Sequence, residues 1–275
     1  VIDLHTHSTA SDGTFSPGEL IRKARDEGLT TLALTDHDSL DGLDEASAAA
    51  ADAGIRFVPG VEIEIGFGPG EFHLLGLDLG EVREPLRQAA AELARSREDR
   101  NEQVFQLLKT AGMELDYKEL REQVGEGMIG RPHIANLLVE KRVVKSKQEA
   151  FDRYLAKGRP FFVQKACLEL SKALEVIKDS RGLAIVAHPL SLFVSWTRMR
   201  TLMGEWKELG IDGIEAWHPT ARVVDCQRLE AMGIEFGMRI TAGSDYHGPS
   251  RPERRLGRTA GDRPIPDSYL TALDR

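Results

Sequence analysis

Thr31-Leu32-Ala33-Leu34-Thr35-Asp36-His37-Asp38 is the stretch that decides the fold. Five residues read as a short buried strand, and a run of three titratable residues follows at once. Burying such a run is costly without partners, so it belongs at a strand end where partners converge. Upstream, Ser16-Pro17-Gly18-Glu19 opens a helix, with Ser16 at the N-cap, Pro17 at the first position and Glu19 closing a capping box; Gly28 ends it. Further upstream, Ile2-Asp3-Leu4-His5 alternates as a strand. Downstream, an alanine-rich helix ends at Gly54, and 56–61 and 72–77 read as two more strands. Later come 183–187, 213–217 and 239–242, each preceded by a helical pattern. About seven strands alternate with helices, the signature of a parallel α/β barrel.

The rhythm breaks between about 84 and 160. Helical patterns fill that stretch: Pro85 to about Ala111, Tyr117–Gln123, Pro132–Lys141 and Lys147–Lys157. The division expected is a barrel from 1–83 and 161–275 with a helical insertion, a lid, at 84–160. The tail after Gly248 reads as coil with a short closing helix.

A parallel barrel gathers the C-terminal ends of its strands at one rim, and that rim hosts chemistry. His7, His37, Glu62, His73, His188 and Asp245 all read as lying at or just past strand ends. His5 and His7 are two apart on a strand and face the same way. Asp12, in a Ser11-Asp12-Gly13 turn, is a ligand or a turn cap. Asp36 suits orienting an imidazole, Asp38 an N-cap, and Glu62 bridging two cations; Glu64 reads as a solvated or supporting acid. His73 in its apolar strand is a core histidine or, given its company, a ligand. His133 lies apart in the helical region, and His218-Pro219 follows a strand. Imidazoles and carboxylates in this number exceed what one divalent ion needs. The chain reads as a multinuclear metallohydrolase.

Composition bounds the alternatives. The chain has 275 residues, 41% hydrophobic, enough for one large core with a small appended unit. No apolar run approaches the ~20 residues of a membrane span. The start reads as strand rather than signal peptide, and Cys167 and Cys226 form neither a disulfide framework nor a metal spacing, which fits a cytoplasmic enzyme. A net charge of −8 argues against a DNA coat role. Residues 81–165 nevertheless hold 17 basic and 14 acidic side chains, a local excess that suits an anionic substrate.

The motifs His5-Thr6-His7, Thr35-Asp36-His37, Gly60-Val61-Glu62, Ala187-His188-Pro189 and Gly243-Ser244-Asp245-Tyr246-His247 resemble, in order, those of the PHP (polymerase and histidinol phosphatase) family. The resemblance implies a distorted (β/α)7 barrel with two or three divalent ions, manganese first and zinc or iron next. It implies one ion on His5, His7, Glu62 and Asp245, a second on Glu62, His73 and His188, and a third on Asp12, His37 and His247. The middle segment, around Ile129-Gly130-Arg131-Pro132-His133 and Gly158-Arg159-Pro160, resembles a lidded branch of 3′,5′-nucleoside bisphosphate phosphatases and 5′–3′ exoribonucleases. The expected reaction is attack of a metal-bridged hydroxide on phosphorus, taking pAp to AMP and phosphate. Arg131 suits gripping a phosphate, with Ser8, His133, His218 and Arg159 as further substrate contacts. His218 and His133 are candidates for protonating the leaving group. The rivals are an exoribonuclease acting on short RNA, another small-molecule phosphatase, an amidohydrolase, and a metal-stabilised scaffold. The amidohydrolase lacks a lysine candidate for carbamylation in any barrel strand.

Overall fold

In the computed structural model, which describes every residue except Pro69, Glu126 and Arg275, the short apolar runs become seven strands of one sheet. They are β1 (Ile2–Asp3), β2 (Thr31–Leu34), β3 (Arg56–Ile65), β4 (Phe72–Leu77), β5 (Leu183–Val186), β6 (Gly213–Trp217) and β7 (Arg239–Ala242). Sheet order follows chain order, giving a nearly closed barrel. The pairs β1–β2, β2–β3, β5–β6 and β6–β7 are parallel. β4 runs antiparallel to both neighbours, which corrects the all-parallel barrel expected from the sequence. The reason is the length of the connection. Six residues separate β3 from β4, whereas a parallel crossover needs about a dozen or more. The reversal also corrects the placing of His73 at a strand's far end. His73 is the second residue of β4, and reversal brings that beginning to the rim where the other strands end.

β1 and β7 do not pair as strands. The seam between them is closed just beyond the strand ends, where Asp245 N–H donates to His5 O and His7 N–H donates to Tyr246 O, both at 2.9 Å. The buried Asp3 carboxylate adds to the seam by accepting from Ser244 N (2.9 Å) and Gly257 N (2.8 Å). Strand β6 carries a register shift between Glu215 and Trp217, a local irregularity of the kind that re-aims side chains beside functional sites.

The helices are α1 (Pro17–Asp26), α2 (Leu43–Ala53), α3 (Glu84–Thr110), α4 (Tyr117–Val124), α5 (Arg131–Glu140), α6 (Lys147–Ala150), α7 (Leu170–Asp179), α8 (Trp196–Leu209) and α9 (Val223–Glu235). Helix α1 starts as its sequence predicts, with the reciprocal Ser16–Glu19 capping box and Pro17 in the first turn. Its Leu20, Ile21 and Ala24 are buried. Helix α2 does not start at Asp38. Its N-cap is Gly42, while Asp38 adopts φ 51° and accepts from Glu64 N at 3.3 Å. The helix expected over 147–157 is instead the short α6 followed by a π-helical turn, Phe151–Leu155.

The chain divides into two compact units, Val1–Ala90 with Cys167–Arg275, and Ala91–Ala166. The sequence-based division lay at 83/84 and 160/161; the continuous α3 runs through the first junction. The second unit has its own core, built from Phe105, Leu108, Leu120, Ile134, Leu137 and Leu138. Among the described residues, no helix is long and apolar enough to cross a membrane.

Candidate metal centre

The centre lies in the barrel unit, on the loops at the ends of β1, β2, β5 and β7 and on β3 and β4 themselves. Glu62 is its hub and is fully buried. Its two oxygens face different partners. Oε1 lies 2.9 Å from His73 Nδ1 and 2.9 Å from His188 Nε2. Oε2 lies 2.8 Å from His37 Nδ1 and 3.4 Å from both His5 Nε2 and His7 Nε2. A carboxylate divided in this way is placed to bridge cations. Burial alone would push its carboxyl up, but His37, His73 and His5 outweigh burial and hold it well below the usual carboxylate range.

The outer nitrogens of four imidazoles assign their tautomers. His5 Nδ1–H donates to Glu215 (3.0 Å), and His247 Nδ1–H donates to the Asp245 carbonyl (2.7 Å). Ser191 Oγ–H is spent on Glu71 O, so its oxygen accepts from His188 Nδ1–H (3.0 Å). Ser11 Oγ–H is likewise spent on Asp36, and its oxygen faces His7 Nδ1 at 3.5 Å. Each outer nitrogen therefore carries a proton, which leaves the inward Nε2 of these rings as the atom that a cation takes in place of a proton, as in metal-binding histidines. His5 Nε2 and His7 Nε2 stand 3.1 Å apart. Asp12 Oδ1, Glu62 Oε2, Asp245 Oδ1 and His247 Nε2 are buried without a hydrogen-bond partner. Converging lone pairs and orphaned anionic oxygens are what divalent ions satisfy, so the residues fit the metals.

Among the described residues, ligand atoms lying within 4.8 Å of one another form four overlapping groups: His7, Asp12, His37 and His247; His5, His7 and Asp245; His5, Glu62 and His188; His37, Glu62 and His73. All nine residues singled out in the sequence occur there. Asp12, His37 and His247 come together with His7 as a fourth member. The Glu62–His73–His188 set expected for one ion is divided between two groups.

Other expected residues are placed differently. Ser8 is buried and its hydroxyl donates to Asp36 (2.6 Å), which gives it a supporting contact where a phosphate contact was expected. Asp36 reaches His7 only through Ser11, not directly. His218 lies at the centre, its ring 5.2 Å from that of His188. Its Nδ1 accepts from Thr220 N (3.4 Å), so Nε2–H donates to Asp245 Oδ2 (3.1 Å). Burial lowers its basicity, which keeps the ring neutral in that role. Arg131 and His133 occupy the first turn of α5 in the helical unit. Arg131 stands over the Phe162 ring at 5.6 Å, and His133 Nδ1 accepts from Gly130 N at 3.0 Å. Arg159 is exposed in the same unit.

Sequence reading missed Glu215, Arg251 and Arg254. Glu215 is 1% exposed on β6 and holds two ligands at once: Oε1 takes His5 Nδ1–H, and Oε2 accepts from His188 N at 2.9 Å. Glu215→Ala should weaken metal binding about 10- to 100-fold, the usual cost of removing an outer partner of a ligand. A metal titration of the chelator-treated protein measures this; unchanged affinity would remove Glu215 from that role.

Residues 3–173 match the PHP domain. A 5′-3′ exoribonuclease of Haemophilus influenzae is 34% identical over 90% of this chain and 90% of its own. A 3′,5′-nucleoside bisphosphate phosphatase of Chromobacterium violaceum is 33% identical over 96% of this chain and 93% of its own. A solved Chromobacterium violaceum structure, named as an amidohydrolase and holding sulfate without metal, superposes with a TM-score of 0.86 at 30% identity, covering 98% of this chain and 96% of that one. A histidine-lined centre gathered around Glu62 and likeness along nearly the whole chain lead to one conclusion: the chain belongs to the PHP-domain family and is a metal-dependent hydrolase of phosphoric esters.

Proposed function

We propose that the enzyme removes the 3′-phosphate of 3′,5′-nucleoside bisphosphates, taking pAp to AMP and phosphate, with manganese as its metal. The observation that carries this reading is the nearly end-to-end likeness to the Chromobacterium violaceum bisphosphate phosphatase. Net charge supports it: a chain at −8 suits a small anion drawn to a local positive centre better than a long polyanion. The donor set is nitrogen and oxygen without thiolate, which suits manganese, iron or zinc.

Divalent ions at such a centre acidify water and neutralise phosphoryl oxygens. The chain's own residues do the rest. Glu62 holds the ligand groups in one cluster, Glu215 fixes His5 and the His188 backbone, and His218 steadies Asp245. In this reading Arg131 grips the substrate's second phosphate through its planar fork, with Arg159 as a further anion contact and His133 beside them. In this reading the helical unit is the element that selects the nucleotide.

The second reading, a 5′-3′ exoribonuclease on short RNA, is favoured by the Haemophilus influenzae relative and its like-named counterparts. The deciding measurement is phosphate or nucleotide release from pAp, 5′-AMP, histidinol phosphate and a short RNA by manganese-loaded enzyme. Selective release from pAp is expected. Faster release of nucleotides from RNA would make the exoribonuclease the better reading. Cleavage of amides with none of phosphate esters would overturn both.

A further inference from the structure

Two carboxylates of the centre are oriented in the same unusual way. Asp12 turns Oδ1 toward His247 Nε2 (3.1 Å) and His37 Nε2 (4.0 Å). Asp245 turns Oδ1 toward His7 Nε2 (3.0 Å), His247 Nδ1 (3.4 Å) and His5 Nε2 (3.6 Å). Both inner oxygens are buried and lack a hydrogen-bond partner. The outer oxygens are tied instead to arginines, that of Asp245 also taking the His218 Nε2–H. Asp12 Oδ2 lies 3.3 Å from Arg251 Nη2. Asp245 Oδ2 accepts from Arg254 Nη1, and the same guanidinium reaches the Asp245 carbonyl at 3.2 Å.

Both arginines come from one short segment behind the ligand His247. A 3-10 turn, Gly248–Ser250, starts it, and Ser250 Oγ–H donates to His247 O (3.1 Å). Arg251 N–H donates to Gly248 O (3.1 Å) and Arg254 N–H to Arg251 O (3.0 Å), so successive turns set the spacing of the two guanidinium groups. Their side chains are 29% and 12% exposed, well short of the freedom of surface arginines. Charge-assisted contacts of this kind are strong enough to hold a carboxylate's orientation.

A carboxylate with one oxygen held by a guanidinium offers only the other to a cation. Calcium accepts both oxygens of a carboxylate, at about 2.3–2.6 Å and with high coordination number. Smaller transition ions bind one oxygen at about 2.0–2.2 Å. We propose that Arg251 and Arg254 are positioning residues that hold Asp12 and Asp245 to one-oxygen ligation, one arginine for each ligand group, and so bias the centre toward transition ions over calcium. The proposal rests on the reading that the centre holds divalent ions.

The test is metal competition on the full chain after chelation. Free Mn2+ is counted by electron paramagnetic resonance while Ca2+ is titrated in, for the wild type, Arg251→Gln, Arg254→Gln and the two Arg→Lys variants. Each Gln variant should lose about tenfold in Mn2+-over-Ca2+ preference, confined to one ion's worth of binding, and each Lys variant about threefold. Circular dichroism of the metal-free proteins checks folding. Should a Gln variant fail to fold, the Lys variant at that position decides. Preference unchanged in the folded variants, with the wild type binding Mn2+, overturns the proposal. A wild type that binds no ion would instead sink the metal reading beneath it.

Discussion

Glu62→Gln should strip the centre of tightly held metal and abolish phosphoester hydrolysis while leaving the barrel folded. Five imidazole nitrogens lie within 3.4 Å of this carboxylate, divided between its two oxygens. Glutamine keeps the shape but replaces one oxygen with an NH2 donor and removes the negative charge. Whichever way the amide turns, one set of imidazoles loses its shared anion. Loss of an outer partner of a ligand costs about 10- to 100-fold in affinity, and losing the shared ligand itself should cost more. The backbone contacts are unaffected by the change: Glu62 N–H still donates to Asp36 O, and β3 still pairs with β4. Metal content by mass spectrometry, turnover on pAp and circular dichroism together check this. A folded Glu62→Gln protein with full metal content and normal turnover would show that Glu62 does not bridge.

The second large effect comes from a residue with no chemistry. A Cβ on Gly243 would stand 2.3 Å from His5 Cβ and 2.5 Å from Glu215 Oε1. Real Cβ atoms do not approach so closely, and neither neighbour is a flexible side-chain end. His5 is fully buried in the seam and Glu215 is fixed by two bonds. Gly243→Ala must therefore move the pair that orients His5. Overpacking of this kind costs about 1–3 kcal/mol, which for a chain of this size lowers the midpoint by roughly 2–4 °C per kcal/mol. The expected result is a melting midpoint about 2–12 °C lower in the metal-free protein, and a further gap when metal is added, because the variant binds it more weakly. Equal stabilisation by metal in both proteins would mean that His5 has room to adjust.

Most strands were legible as short apolar runs ended by a turn residue or a polar cluster; β2 and β5 match their sequence reading to within one residue, whereas β3 runs four residues past its expected end and takes Glu62 into the strand instead of leaving it at the end. The ligands were legible for a related reason. Histidines and acids at the ends of buried runs are costly unless they meet partners. The direction of β4 was not legible because β3 reads as ending at Val61; the strand instead runs on to Ile65, and only that shortens the connection to six residues. Glu215 was missed because its partner His5 lies 210 residues away, and nothing local marks a strand glutamate as buried. Its one signal is an acid between Ile214 and Ala216 in a strand that is buried at every position. Arg251 and Arg254 fall in the tail that reads as coil, where nothing local marks an arginine as the partner of a buried carboxylate. Asp38 followed a strand and preceded a helix, which is where an N-cap belongs, but the loop from Ser39 to Gly42 displaced the helix start.

Anyone wishing to transplant this centre onto a regular barrel would find that its side chains are the easy part. His188 and Asp245 have φ of 28° and 51°, in a backbone region that costs a residue with a Cβ roughly 1–3 kcal/mol. His5, His7 and Asp245 also supply the backbone groups that close the β7–β1 seam. The ligand geometry is thus inherited from the way the barrel is sealed. A designer who copied nine side chains onto an already closed eight-stranded scaffold would leave behind the turns that aim them, and should instead borrow the seam entire: 3–14 together with 242–257.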